Sequence, residues 1–219
     1  MKRRKKAYNS YYNRVIKRLI DVLISGTAVI ILSPVYLIIA VMIALEDGFP
    51  VLYRADRGGY MGKPFRIAKF RSMVKNADKI GGGTTALHDS RITKTGEFLR
   101  KTKLDELPQL FNIFRGDMSV VGPRPERPEI AAQYYESIPD FRLRLQVKAG
   151  LTGYAQVYGK YNTDPYEKLE FDLLYINNMS VLTDLRLIFA TISILFASES
   201  TEGIEAGQTN AISSVEEDP

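Results

Sequence analysis

The sequence contains no cysteine and only one histidine among its 219 residues. The absence of cysteine excludes disulfide bonds, thiolate catalysis and zinc–thiolate sites, and it is typical of a protein that faces the cytoplasm. The single histidine, His88, follows a polar, glycine-rich loop. A lone histidine in such a loop is more often solvated than a general base, so we assign it no role in catalysis.

Two familiar ligand-binding patterns are also missing. The glycines at 81–83 could cradle a phosphate, but the Lys-Ser/Thr pair of a P-loop does not follow them. No helix-turn-helix, RNP-like or zinc-finger pattern occurs, so nucleic acid is not an expected partner. The net charge of +5 is uneven, because residues 198–219 carry six acids and no base. This tail is expected to be disordered, and the basic remainder suits anionic lipid headgroups or phosphorylated small molecules.

The N-terminal segment combines a basic arm with a long apolar run. The first 18 residues contain no acid and end in Lys17-Arg18, and an uncharged run of 24 residues extends from Val22 to Leu45. A run of this length can cross a bilayer as a helix. Clustered bases beside a membrane helix favour the cytoplasmic side, which predicts a cytoplasmic N-terminus.

The Ser33-Pro34 pair in this run leaves two topologies open. Proline removes a backbone donor and clashes with the carbonyl of Ile30, so the helix is expected to bend there. The bent helix either crosses the membrane as a kinked span or enters one leaflet and returns. We favour the re-entrant helix, because a span would export the basic remainder of the chain away from cytoplasmic nucleotides. A cleavable signal peptide is disfavoured, since no small-residue cleavage site follows the run.

The remaining sequence predicts an α+β domain of short, mostly helical elements. Segments 51–57 and 64–71 predict a β-hairpin around a glycine-bearing turn. Asp164 and Pro165 predict the start of a helix that continues to Asn177. Segment 181–197 predicts an apolar helix that packs in the core or, as we favour, lies in the membrane interface. The other predictions are short helices at 73–79, 95–103, 105–114 and 128–135, an extended segment at 118–121, and a strand-like, glycine-punctuated segment at 148–159.

Asp105 and Glu106 are the acidic residues with the clearest capacity for catalysis. They are placed in the first turn of the predicted helix 105–114, after the basic residues Arg100, Lys101 and Lys103. Helix amides and nearby cations favour ionised carboxylates, which can hold Mg²⁺ or attack an electrophilic phosphorus. The alternative is a capping aspartate followed by a solvent-facing glutamate.

Basic residues surround two neighbouring parts of the sequence. Arg115, Arg124 and Arg127 flank the turn Gly122-Pro123-Arg124-Pro125, where proline restricts the backbone and can fix a guanidinium for phosphate binding. On the second predicted strand, Lys69 and Arg71 alternate onto one face. The basic side chains of that strand either contribute to a phosphate site or form a solvated edge.

Several segments, in order along the chain, resemble the bacterial sugar transferases, which are monotopic polyprenol-phosphate phosphoglycosyl transferases. The resemblance covers residues 14–197 and is carried by Lys17-Arg18, the Ser33-Pro34 break and the segments 56–65, 69–73, 104–110, 115–126 and 150–157. It implies transfer of a phosphosugar from a UDP-sugar to polyprenol (undecaprenyl) phosphate, with release of UMP. Such a reaction starts a membrane-linked glycan, such as a capsule or exopolysaccharide, at the cytoplasmic face of the bacterial inner membrane.

The resemblance also implies a site. Asp105 is the expected nucleophile of a covalent phosphosugar intermediate, and Asp105 and Glu106 are the expected Mg²⁺ ligands. Phosphate contacts are assigned to Arg57, Lys69, Arg71, Arg115 and Arg124, and nucleotide or sugar contacts to Lys148, Thr152, Gln156 and Lys160. The helix 165–177 carries Lys168, Glu170 and Asp172, which form either structural salt bridges or substrate contacts.

The resulting organisation is a basic arm (1–18), a re-entrant membrane helix (19–46), a catalytic domain with amphipathic interfacial helices (47–197) and an acidic tail (198–219). The multi-span N-terminal region of large family members is absent, which predicts the small form, and two apolar surfaces allow it to form a homo-oligomer. The chain departs from the family pattern at Ala149, Tyr154 and Lys160, where proline, tryptophan and arginine are expected. Lysine lacks the guanidinium fork, so the sugar or base contacted at Lys160 stays open.

Two other functions compete with this interpretation. A glycosyltransferase that forms a glycosidic bond would release UDP rather than UMP. A non-catalytic membrane scaffold for glycan assembly would use Asp105 and Glu106 only as a helix cap.

Overall fold

A computed structural model describes residues 11–77, 89–159 and 163–196 of the chain. The chain starts with a short π-helical turn, Tyr12–Ile16, and two long helices, α1 (Lys17–Ile31) and α2 (Ser33–Asp47). Among the described residues, no unbroken helix has the length and apolar character needed to cross a bilayer. The first two helices together meet that criterion as a pair bent by 61°.

The bend falls at the pair that the sequence identifies. Helix α1 ends at Ile31, and Pro34 stands in the first turn of α2. The hydroxyl of Ser33 donates to the carbonyl of Ile30 at 2.8 Å, so it replaces part of the bonding that proline removes. The predicted bend and its chemical cause are therefore confirmed.

Helix α1 turns its polar side chains towards the protein and its apolar ones outwards. Lys17, Asp21 and Ser25 are buried on one face. Asp21 accepts hydrogen bonds from the hydroxyl of Ser119 and from the amide of Val120, at 3.0 and 2.9 Å. The outward surface of α1 and α2 is strongly apolar, with exposed residues that include Leu19, Leu23, Ile30, Ile31, Leu37, Ile38, Val41 and Leu45.

Strands β1 (Leu52–Gly58) and β2 (Pro64–Phe70) form the predicted antiparallel hairpin, in the register that pairs Leu52 with Phe70. A 3₁₀ turn, Tyr60–Gly62, connects them. The helix predicted at 73–79 is not present over residues 73–76, where Met73 forms an isolated bridge with Ile92 and a turn follows. Ala77 is helical, and residues 78–79, together with 81–83 and His88, lie outside the described residues.

Helix α3 (Lys94–Lys101) confirms the prediction at 95–103, but the next prediction is wrong at its start. Asp105 and Glu106 belong to a separate 3₁₀ turn, Leu104–Glu106, and helix α4 (Gln109–Arg115) begins after Pro108. Lys103 precedes the turn with a left-handed φ of 58°. The acidic pair therefore stands on a sharply bent connection rather than in the first turn of a longer helix.

A parallel strand pair supports the second half of the chain. Strand β3 (Ser119–Val121) confirms the extended segment at 118–121 and pairs with β4 (Gly150–Thr152). The backbones approach closely, because a Cβ at Gly150 would lie 2.1 Å from the amide nitrogen of Gly122. The strand-like segment predicted at 148–159 is thus only partly a strand, since helix α6 (Tyr154–Tyr158) follows β4.

The remaining helices complete the core. Helix α5 (Pro128–Ser137) and the 3₁₀ segment Pro139–Gln146 lie between β3 and β4 in the sequence. Helix α7 (Pro165–Asn177) is capped by Asp164 and ends at Asn177 as predicted. Helix α8 (Val181–Phe196) buries Asp184 and Leu187 while its other side stays apolar and exposed at Leu182, Leu185, Phe189 and Ile192. The fold is α+β and mostly helical, as the sequence predicts.

Candidate active site

A cavity of about 1190 Å³ opens between the β-hairpin, the Asp105 turn and the loop that contains Arg124. Its volume is somewhat above the range of about 300–1000 Å³ that is usual for small-molecule sites, so a nucleotide sugar can fit. The basic side chains on its wall are Arg54, Arg57, Arg66, Lys69, Arg71, Lys75, Arg100, Arg124 and Arg127. The cavity is therefore suited to a polyanionic ligand.

Asp105 lies on the wall of this cavity and is only 7% exposed. The N-cap positions of the 3₁₀ turn and of α4 are Lys103 and Pro108, so Asp105 is not the cap of either helix. The interpretation of Asp105 as a mere helix cap is therefore wrong. The sharp connection after Lys103 turns this carboxylate towards the basic wall.

The Glu106 side chain does not face solvent, and it forms ion pairs with two cations. Its Oε1 accepts from Lys69 Nζ at 2.9 Å and from Arg124 Nη2 at 2.7 Å. Burial alone would raise the pKa of the Glu106 carboxyl, but the charges of Arg124 and Lys69 outweigh burial and hold this pKa well below its usual range. Glu106 thus links strand β2 to the Arg124 loop as a permanent anion.

The Arg124 loop is held from behind by a buried ionic cluster. Arg144 donates from Nη2 to the carbonyl of Arg124 at 2.7 Å and pairs with Asp172 at 2.8 Å. Glu126 pairs with Lys168 at 3.0 Å and with Arg144 at 3.4 Å. Lys168 and Asp172 therefore form structural salt bridges rather than lining the cavity.

The ionisation of this cluster follows from burial and charge. Burial raises the pKa of Asp172 to about 6, although Arg144 opposes the shift. Burial also tends to raise the pKa of Glu126, but Lys168 and Arg144 lower it more strongly. Glu126 is consequently the firm anion of the cluster, and Asp172 is the carboxylate closest to taking up a proton at neutral pH.

Arg57 brings further positive charge to the same wall. Burial lowers the pKa of its guanidinium, and the nearby charge of Arg127 lowers it further. Such a shift marks cations that lie close together with limited access to water. A phosphate group placed between Arg57 and Arg127 would relieve that repulsion.

Lys69 of β2 and Arg71, which directly follows the strand, both line the cavity. Arg71 is anchored through Nη2 to the carboxylate of Asp47 at 3.0 Å and to the carbonyl of Gly48 at 2.6 Å. Its Nε and Nη1 have no hydrogen-bond acceptor among the residues that the structure describes. Arg71 therefore lines the cavity with two donors that the described part of the protein leaves to a ligand.

A family model described as "Bacterial sugar transferase" matches residues 12–198. The chain belongs to the bacterial sugar transferase family.

The names of curated relatives of the chain agree with this family. The chain is 45% identical over 195 residues to a Klebsiella pneumoniae protein named UDP-glucose:undecaprenyl-phosphate glucose-1-phosphate transferase, covering 86% of this chain and 42% of that protein. An Escherichia coli (strain K12) protein of the same name is 43% identical over 82% of this chain and 40% of its own length. The chain thus spans about two-fifths of these relatives. A Rhizobium leguminosarum bv. phaseoli protein named exopolysaccharide production protein PSS is 39% identical, with 86% of this chain and 97% of that protein covered.

Some residues assigned from the sequence do not reach the cavity of this sugar transferase. Arg115 is exposed at the far end of α4. Lys148 lies near Gly116 and Arg18, and burial followed by the charge of Arg18 lowers its pKa. Thr152 is buried, and its hydroxyl is hydrogen-bonded to the hydroxyl of Thr191. The predicted contacts of these residues with substrate stay predictions.

Two further assignments have separate outcomes. Gln156 packs behind the Arg124 loop, with its amide nitrogen 3.5 Å from the carbonyl of Gly122, and it does not line the cavity. Lys160 lies outside the described residues. Both are distant from Asp105 in sequence, so spacing alone could not have placed them relative to it.

Two residues that the sequence analysis missed bear on the site, one in the cavity wall and one behind the Arg124 loop. Gln109 lines the cavity, is 2% exposed and has an amide nitrogen without an acceptor among the described residues. Its position four residues after Asp105 is a helical spacing that could have identified it. Arg144 had no such local signal, because its partners lie 20 and 28 residues away in the sequence.

The described residues contain no cluster of three or more metal-ligating side chains. The sequence predicts a Mg²⁺ site formed by both carboxylates. In the structure, Glu106 instead forms ion pairs with Lys69 and Arg124. Asp105 fits a magnesium ion that takes its other ligands from substrate phosphates and water.

Proposed function

We propose that this sugar transferase moves a phosphosugar from a UDP-sugar to a polyprenol phosphate such as undecaprenyl phosphate, and releases UMP. The observation that carries the proposal is the position of Asp105 in the basic cavity, next to a glutamate that orients two of its cations. Glu106 is neutralised by Lys69 and Arg124, whereas Asp105 stands on the wall of a large cationic cavity. The names of the curated relatives agree with this substrate class.

The reaction takes place in two displacements at one phosphorus atom. A carboxylate oxygen of Asp105 attacks the phosphorus that carries the sugar, and the phosphoanhydride oxygen leaves with UMP. A phosphate oxygen of the polyprenol phosphate then attacks the same phosphorus, and the Asp105 carboxylate leaves unchanged. The two anionic substrates therefore never need to occupy the site together.

The basic wall has a separate task in each displacement. Arg57 and Arg127 are suited to the diphosphate of the UDP-sugar, because their mutual repulsion falls when an anion binds between them. Arg124 is held by Glu106 at one end of its side chain, so little reorganisation is needed as charge develops on the leaving UMP.

Mg²⁺ is proposed as the cofactor, with Asp105 as its protein carboxylate. When bound, it would neutralise charge on the phosphates. Glu106 is better described as the residue that orients Lys69 and Arg124.

The proposed location is the cytoplasmic face of the bacterial inner membrane. The bent pair α1–α2 carries an apolar outer surface, and the basic arm before it favours anionic lipid. Helix α2 also contacts the segment that carries the site, because the hydroxyl of Tyr36 donates to the carbonyl of Leu107 at 2.6 Å. A re-entrant pair would therefore hold Asp105 near the membrane surface, where a polyprenol phosphate arrives, and α8 would lie in the interface.

The test measures the nucleotide released from a UDP-sugar in the presence of polyprenol phosphate and Mg²⁺. We expect UMP, not UDP, and a phosphosugar adduct on the protein when the acceptor is omitted, detected by intact mass. Asp105→Asn should lower UMP release at least about 10³-fold and abolish the adduct. Asp140→Asn makes the same change at an exposed site outside the cavity and should retain activity. Release of UDP would favour a glycosidic transfer, and full activity of Asp105→Asn would contradict the covalent route.

A further inference from the structure

The buried cluster behind the Arg124 loop has no place in the reaction described above. Arg144 is 4% exposed and Asp172 is 2% exposed, and neither lines the large cavity. They come from different parts of the chain, the 3₁₀ segment Pro139–Gln146 and helix α7. Any influence on the reaction must therefore pass through another residue.

The contacts of Arg144 identify that residue as Arg124. The guanidinium of Arg144 reaches the Arg124 carbonyl at 2.7 Å, the Asp172 carboxylate at 2.8 Å and the Glu126 carboxylate at 3.4 Å. Its flat face packs on the ring of Phe141, 4.7 Å from the ring centre. Arg144 is thus fixed in direction on several sides and donates to the backbone at the centre of the Pro123-Arg124-Pro125 turn.

Stability alone does not explain a charged pair at this depth. Removing an arginine and a carboxylate from water costs free energy, and apolar side chains of similar volume often replace such a pair without loss of stability. Burial is the first cause of the rise in the pKa of Asp172 to about 6, which agrees with a desolvation cost at this carboxylate. Because a buried ion pair is weak evidence for stability, the geometry that this pair imposes is the better explanation.

We propose that Arg144 and Asp172 are positioning residues, which fix the backbone of Arg124 so that its guanidinium points into the cavity beside Asp105. The proposal rests on the proposed function, because it assigns Arg124 a role in phosphosugar transfer. Asp172 orients Arg144, Arg144 holds the Arg124 carbonyl from behind, and Glu106 holds the Arg124 side chain from the front. Between these two anchors the arginine has little freedom. A misplacement of about 1 Å in such a group can cost about 10²-fold in rate.

The main test replaces the ionic pair by apolar residues, Arg144→Met together with Asp172→Leu. We expect cooperative thermal unfolding with a midpoint equal to or above that of the wild-type chain. The kcat for UMP release should fall about 10²-fold, whereas KM for the UDP-sugar should change less than about threefold. Arg142→Met is the matched control, because Arg142 is exposed on the same segment and stacks on Tyr135. It should leave kcat unchanged.

A double-mutant cycle separates positioning from a general structural effect. In an Arg124→Met background, the Arg144→Met and Asp172→Leu changes should cause no further loss of kcat, because their effect passes through Arg124. An equal loss in both backgrounds would overturn the proposal. So would wild-type kcat in the apolar double variant.

A second variant covers the case in which the apolar replacement does not fold. Arg144→Lys keeps the charge opposite Asp172 but lacks the fork in which Nη2 meets Asp172 and the Arg124 carbonyl while Nη1 faces Glu126. We expect a roughly tenfold loss of kcat with an unfolding midpoint close to that of the wild type. Full activity of Arg144→Lys contradicts the positioning role. Failure of the wild-type chain to release UMP would instead reject the proposed function, and with it this inference.

Discussion

At the scale of single residues, the two adjacent carboxylates differ because of what surrounds them rather than because of their sequence neighbours. Glu106 is enclosed by Lys69 and Arg124, whose charges more than offset its burial. Asp105, one residue earlier, lies on the wall of the cavity. The proposed division of the pair, with Asp105 as the reacting group and Glu106 as the orienting group, rests on these two positions.

The ion pairs of Glu106 predict an acid-sensitive contribution to stability. Its pKa is lowered in the folded state relative to an ordinary value of 4.5, so the unfolded chain takes up the proton first. The stabilisation is therefore complete above about pH 4.5 and is lost as the pH falls further. Glu106→Gln should lower the free energy of unfolding by about 2 kcal/mol at pH 7. Thermal unfolding between pH 7 and pH 3 measures both effects.

The control for this prediction is Glu129→Gln, at an exposed position on α5. It should unfold like the wild-type chain at every pH. If Glu106→Gln and the wild type lose stability in parallel below pH 4.5, another group carries the acid sensitivity.

A substitution at Gln109 is predicted to raise the free energy of unfolding, whereas Glu106→Gln lowers it. Its buried amide nitrogen has no acceptor among the described residues, and an unsatisfied buried donor costs about 1–3 kcal/mol. Gln109→Met preserves the length of the side chain and removes the amide, so the free energy of unfolding should rise by about 1 kcal/mol. Urea unfolding of the detergent-solubilised chain measures this change. A loss of more than about 1 kcal/mol would mean that the amide is satisfied in the folded protein.

At the scale of elements, the two N-terminal helices are arranged with their polar groups inwards. Asp21 binds Ser119 and Val120 on strand β3, and Arg18 donates to the carbonyls of Ile113 and Phe114 at the end of α4. The apolar groups face outwards, as they do on helices that lie in lipid. The apolar outer surface suits the proposed place of the pair in the membrane, and the polar contacts make the pair a structural part of the domain.

The Ser33-Pro34 bend predicts that both ends of the α1–α2 pair lie on one side of the membrane. Because the chain has no cysteine, single reporters at Lys5→Cys and Asp140→Cys need no background mutations. Both should react with an impermeant maleimide only after the cells are opened. Combining Asp140→Cys with Ser33→Ala and Pro34→Leu should straighten the helix and move part of the population to the outside. Labelling of Asp140→Cys in intact cells without those changes would show a span instead.

At the scale of the whole molecule, the N-terminal helices and the remaining chain share one core. Ile39 and Ile43 of α2 pack with Phe70 and Leu99, and Lys17 of α1 pairs with Asp184 of α8. The basic wall of the cavity is built by elements that contact these helices. The N-terminal helix pair is therefore part of the folding unit.

Deletion of residues 1–47 is predicted to prevent folding rather than to release a soluble enzyme. The deletion exposes Phe70 and Leu99 and leaves Asp184 without its buried lysine, which are among the changes that destabilise proteins most. Circular dichroism and size-exclusion chromatography should show an aggregated or unfolded product. A control that removes only residues 1–10 should fold, and a monomeric, cooperatively folding chain from Gly48 onwards would contradict the shared core.

The sequence by itself determined the features that depend on neighbouring residues. Backbone sterics and local capping act within a few positions, so the Ser33-Pro34 bend, the β-hairpin and the Asp164-Pro165 helix start could be read directly. The ordered motifs were also sufficient to predict the family. Only the tertiary structure decided which charges meet. It joined Glu106 to Lys69 and Arg124, left Arg115 outside the cavity and set Arg144 behind Arg124. The physical reason is that long-range packing brings these side chains together, and no local spacing in the chain encodes it.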